Sequence, residues 1–258
     1  MTDAEARRRA GEVMGRDDDN SGSLDRPGPD GLAGRSTTDE IARFLAATKR
    51  EARRTAGGRL IFALDATMSR RPTWERAASL QAAMFEEAAR VGSLEVQLVY
   101  YRGQDECRAS RWFADASALA RVMDRVDCRA GQTAIGRVIS HATAEARERP
   151  VAALAFVGDA CEEEPEALYE LAGRASLTGL ACFMFQEGRD PTVGRIFGEI
   201  ARLTRGAHVP FDEGSADRLG ALLRAVAAYA AGGREALTAL AGRGEGEGAR
   251  LLLGRMTD

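Results

Sequence analysis

Residues 61–69 read IFALDATMS, and the fold turns on this stretch. Ile61, Phe62, Ala63 and Leu64 form an apolar run with no polar alternation. Asp65 ends it, and Thr67 and Ser69 follow at alternate positions. A continuous apolar run of this length suits a strand buried on both faces, as in a parallel sheet covered by helices. The three oxygen-bearing side chains at its end fit a turn, a phosphoryl-transfer site or a metal site, and the choice falls to the rest of the chain.

The same design recurs in VAALAFVGD at 151–159, an apolar strand that delivers Asp159. Further strands are expected in SLEVQLVYYRG (93–103), GLACFMFQEG (179–188) and AHVPF (207–211), with ASRWF (109–113) as a short edge strand. Helical patterns fill the intervals. One covers 73–92, with Pro72 at its first turn and Gly92 at its end. Others lie near 115–125, 133–147, 164–174, 191–204 and 215–231. Ile135, Val138, Ile139 and Ala142 share one helical face, and Leu219, Leu222, Leu223 and Val226 share another. Strands alternating with helices of this length predict an α/β domain over 58–232, its central sheet mostly parallel and covered on both faces.

Three segments flank that domain. Residues 1–36 read as a flexible segment and linker rich in Asp, Gly, Ser and Pro. Within it Asp17-x-Asp19-x-Ser21-Gly22 has a trace of a calcium loop, but Gly28 stands where a bidentate Glu is needed, so a solvated acidic linker is the reading. Thr37-x-x-Glu40 is a capping box that opens a helix within 37–57. Residues 233–258 are expected to hold a C-terminal helix and tail, where RLLLG (250–254) is a short apolar patch with no obvious core of its own.

Composition narrows the function classes. The chain has 258 residues, 36 basic and 39 acidic, for a formal net charge of −3. That gives no basic field for nucleic acid. Cys107, Cys128, Cys161 and Cys182 are widely spaced without a C-x-x-C pair, as expected of buried thiols in a reducing compartment. The N-terminus has no apolar leader pattern, and no apolar run approaches a membrane span. The expectation is a cytoplasmic protein that uses neither membrane nor nucleic acid.

In open parallel sheets, ligands gather at the carboxyl ends of the strands where the strand order reverses. If the strands ending in Asp65 and Asp159 are neighbours, two carboxylates meet there, and a hard cation relieves the cost of their charge. Thr67 and Ser69 follow Asp65 on the same loop, and Gly131-Gln132-Thr133 supplies another hydroxyl on a loop that opens a helix. Oxygen ligands with few formal charges fit Mg²⁺ or Mn²⁺ better than Zn²⁺.

Asp65-x-Thr67-x-Ser69, then Gly131-x-Thr133, then a strand-end Asp159 resembles the metal-ion-dependent adhesion site of the von Willebrand factor type A (VWA) domain family, and extends to uncharacterised bacterial cytoplasmic proteins with this domain. The resemblance covers about residues 58–231. It implies a Rossmann-like doubly wound sheet with one antiparallel edge strand. It also implies that Asp65, Thr67, Ser69, Thr133 and Asp159 hold one Mg²⁺ (or Mn²⁺), directly or through water, leaving a position for an Asp or Glu of a partner protein. Two departures stand out. Thr67 replaces the family's first Ser, and Ala160 follows Asp159 where Gly is usual; neither removes a ligand oxygen.

A second resemblance is to haloacid dehalogenase-type phosphatases, whose D-x-D-x-[TV] motif also ends the first strand and whose late Gly-Asp is echoed in GDACEEE (158–164). Thr67 stands where that family has a general acid, a task a hydroxyl does not perform at neutral pH. Lys49 is the only lysine, so an Arg would have to steady any aspartyl phosphate. A third reading is a metal-independent scaffold that docks partners on the 37–57 helix or on RLLLG. The expectation carried forward is a metal-dependent protein-interaction module without catalytic residues. His141, His208 and Cys161 are expected to be structural, and Glu162, Glu163 and Glu164 to begin the next helix.

Overall fold

The computed structural model describes residues 57–67, 71–102, 106–129, 131–212 and 215–256. The expected 1–36 segment, the helix within 37–57 and Ser69 lie outside the described residues. Six strands form the sheet: β1 (Gly58–Asp65), β2 (Leu94–Arg102), β3 (Glu106–Phe113), β4 (Ala153–Gly158), β5 (Ala181–Glu187) and β6 (Ala207–Phe211). Their order is β3-β2-β1-β4-β5-β6. All neighbours run parallel except β2 and β3. This is the expected doubly wound sheet with one antiparallel edge strand.

Among the described residues the helices are α1 (Arg71–Ser79), α2 (Gln81–Ala89), α3 (Ala116–Met123), α4 (Ile135–Glu148), α5 (Pro165–Ser176), α6 (Pro191–Leu203), α7 (Ala216–Ala241) and α8 (Glu247–Leu253). They cover both faces, and β1 shows why its sequence is apolar throughout. Leu60, Phe62 and Leu64 point into a core shared with α1, α2, α3, α7 and α8. Ile61 and Ala63 point into the other, shared with α4, α5 and α6. With no solvated face, a strand has no use for alternation. Each Leu, Ile or Phe fully buried in this way contributes about 1.5–3 kcal/mol.

The structure departs from the sequence reading in four places. The helix expected over 73–92 is divided at Leu80, whose N–H is shared between the Arg76 and Ala77 carbonyls at 3.2 Å as the last turn of α1 tightens. Strand β3 begins at Glu106 rather than 109; its first residues are partly exposed and polar, so they carry no hydrophobic signal. Helix α7 runs on to Ala241 across a kink at Gly233, whose φ of 69° only glycine adopts freely. Finally, RLLLG has a core after all: α8 lies against α7 and buries Ala249 and Leu252. Gly248 permits this approach, since a Cβ there would lie 2.2 Å from the Ala221 carbonyl oxygen. No described helix is long and apolar enough to cross a membrane.

Candidate metal centre

The strand order reverses between β1 and β4, which are hydrogen-bonded neighbours with Leu64 opposite Val157. Asp65 is the last residue of β1, and Asp159 directly follows β4. The two carboxylates therefore emerge side by side at the switch point, where open α/β sheets bind ligands. Asp65 is buried, at 4% exposure, whereas Asp159 is partly exposed. Asp65 Oδ1 accepts the backbone N–H of Thr67 at 2.7 Å. This Asx-type turn shapes the loop that carries both residues.

The Thr133 loop is tied to this edge from two directions. The backbone N–H of Arg129 donates to the Ala66 carbonyl at 3.0 Å, joining the segment before Thr133 to the end of β1. On the other side Thr133 Oγ1 accepts the N–H of Glu162 at 3.0 Å. Thr133 thus sits against the 159–164 loop, and its hydroxyl oxygen is oriented by a backbone donor. Asp65, Thr67, Thr133 and Asp159 are gathered at one edge from three loops, while Ser69 is outside the described residues.

Glu163 holds the third loop in place. Helix α4 starts after Ala134, which offers no capping side chain. The Glu163 carboxylate supplies the cap, accepting from the N–H of Ile135 at 2.5 Å and of Gly136 at 2.9 Å. An anion at a helix N-terminus also meets the positive end of the dipole. The expectation that all three glutamates begin the next helix is therefore corrected for Glu162 and Glu163: both precede the N-cap Glu164, and the Glu162 carboxylate accepts the Thr133 N–H at 3.3 Å. Helix α5 starts at Pro165, and Glu163 is spent on its neighbour.

Tyr101, near the end of β2, is a neighbour that sequence reasoning missed. It is paired in register with Asp65, and its carbonyl accepts the Ala66 N–H at 3.0 Å. Burial, then the charges of Asp65, Glu163 and Asp159, raise its pKa well above the ordinary phenol value. Three carboxylates from two loops thus act on one phenol. Its signal in the sequence is positional only: it becomes visible once β1 and β2 are paired in register.

The residues present suit a hard cation. The donor set is oxygen throughout, and the Tyr101 hydroxyl beside it is a buried polar atom that makes no well-formed hydrogen bond. No three or more His, Cys, Asp and Glu side chains are grouped to hold a metal among the described residues. The expected shell does not need such a group, because it takes two carboxylates and completes the coordination with hydroxyls and water.

The remaining reactive side chains have structural roles. His141 Nε2 pairs with Gln97 Oε1 at 2.9 Å, and His208 Nε2 with Gln186 Oε1 at 3.0 Å. Burial lowers both pKa values, that of His208 to about 4 with a further contribution from Arg255. Burial raises the Cys161 thiol, which argues against a reactive thiolate at the rim. Cys182 is fully buried and pushed up to about 12.

No protein-family model and no curated protein sequence matches the chain. Solved structures match it in fold. The VWA domain of SpRpn10 is 13% identical with a TM-score of 0.51, over 62% of this chain and 90% of that one. The pilus adhesin SpaC from Lactobacillus rhamnosus GG is 10% identical with a TM-score of 0.53, over 66% of this chain and 29% of that one. Proximal thread matrix protein 1 from the mussel byssus is 17% identical with a TM-score of 0.50, over 67% and 46%. At such identities the likeness is one of fold alone, and it agrees with the strand order and the antiparallel edge: this chain has the von Willebrand factor type A fold.

Proposed function

We propose that the chain is a metal-dependent protein-interaction module. Asp65, Thr67, Ser69, Thr133 and Asp159 hold one Mg²⁺ or Mn²⁺, and an Asp or Glu of a partner protein completes the shell. The observation that carries this reading is the adjacency of Asp65 and Asp159 at the β1–β4 switch point, with the Thr133 hydroxyl bonded to the loop that follows Asp159. Two carboxylates leave a divalent cation short of oxygen donors, so it retains an appetite for a third. A partner carboxylate that displaces water meets this need better than a neutral ligand does. No described side chain acts as a nucleophile in this reading, and the site binds without catalysis.

Calorimetric titration of Mg²⁺ and Mn²⁺ into the folded chain tests the metal. Binding is expected for the wild type and loss for Asp65→Ala. A chelator-sensitive pull-down that also fails with Asp65→Ala tests the interaction. Folded wild-type protein that takes up neither cation overturns the reading.

A further inference from the structure

Beyond the ligands themselves, Tyr101 has features that packing does not account for. Its side chain is 1% exposed, and its ring stacks on Phe156 of β4 with centroids 6.3 Å apart and planes at 14°. Phenylalanine would fill that space equally well. The hydroxyl is costly in an apolar core, because the oxygen is shielded from solvent and makes no well-formed hydrogen bond, the Asp65 carboxylate being the acceptor it faces. Gly158, the last residue of β4, makes room for the Phe156 ring, which a Cβ there would meet at 2.8 Å, and Tyr101 Oη lies 3.8 Å from the same point. The same end of β4 leads into Asp159, and the register of β1 and β2 sets Tyr101 opposite Asp65.

We propose that Tyr101 is a positioning residue of the metal site, its hydroxyl donating a hydrogen bond into the shell that Asp65 and Asp159 form around the cation. The inference rests on the function proposed above. A phenol is protonated at neutral pH, so its hydroxyl is available as a donor to the site. A donor to a ligating carboxylate, or to a water held beside it, fixes that ligand's orientation. It also draws charge from the ligand, which leaves the cation more electrophilic towards a partner's carboxylate. Groups of this kind typically change metal affinity by about 10–100-fold when removed.

Tyr101→Phe tests this through two readouts with opposite expected signs. In calorimetric titration with Mg²⁺ and Mn²⁺, the variant is expected to bind about tenfold more weakly or worse. In chelator, its melting midpoint is expected to equal or exceed that of the wild type, because a buried hydroxyl that makes no well-formed hydrogen bond has been removed. A purely structural hydroxyl would give unchanged affinity with a lower midpoint. Wild-type affinity in the variant overturns the inference and leaves the metal site standing. A wild type that binds no cation overturns the site and the inference together. Should Tyr101→Phe not fold in chelator, the hydroxyl is part of the packing and the inference is overturned as well.

Discussion

Glu163 carries out a task that its neighbours in sequence do not reveal. A run of Glu before Pro165 is what a helix start looks like, but only Glu164, the N-cap of α5, keeps to that pattern. Glu163 instead reaches back to α4, whose own N-terminus lacks a capping side chain. This is a contact between residues nearly thirty positions apart, so no local pattern encodes it. Glu163→Ala leaves two helix N–H groups without their acceptor, at a cost of about 1–2 kcal/mol from the lost cap and dipole interaction. Denaturant titration in the presence of chelator is expected to show that loss. Glu163→Gln keeps an acceptor and is expected to lose less. Equal stability of Glu163→Ala and wild type would mean that the cap is dispensable.

At the scale of elements, the sequence was most legible where a strand is buried on both faces. The apolar runs that end in Asp65 and Asp159 announce β1 and β4 without ambiguity, and those strands position the candidate site. Legibility failed where the signal was short or tertiary. One tightened turn at Leu80 divides α1 from α2, β3 begins among polar residues, and α8 is a seven-residue helix too brief to show its period. Tyr101 and Glu163 became visible only through register and through a neighbouring helix. Leu252 of RLLLG is buried in the core and Leu251 and Leu253 are half-buried, so most of this apolar patch is used in packing α8. Gly248→Ala puts a Cβ against the Ala221 carbonyl, and backbone must move to admit it. The expected cost is about 1–3 kcal/mol, the range for forced overpacking. A thermal midpoint unchanged by this substitution would show that α8 is loosely held.

For the molecule as a whole, the candidate site joins parts of the chain that are remote in sequence. Its proposed ligands end or follow β1, precede α4 and follow β4, and the loops are already connected by the bonds from Arg129 to Ala66 and from Glu162 to Thr133. These strands lie at the centre of the sheet, with cores on both sides. The loops that would hold a cation spring from these central strands, so its release is expected to accompany their separation. Metal binding is then expected to couple to global unfolding and to add its free energy to the stability of the whole domain. At a free cation concentration of 100 times Kd the added stability is about 2.7 kcal/mol. For a domain of this size that corresponds to a rise in Tm of about 5–10 °C. Differential scanning calorimetry with Mg²⁺, and again with chelator, is expected to show one cooperative transition that moves by this amount. Asp65→Ala is expected to melt at the same temperature in both conditions. A metal-dependent shift confined to a minor early transition would place binding on a locally unfolding segment and contradict the central position of the site.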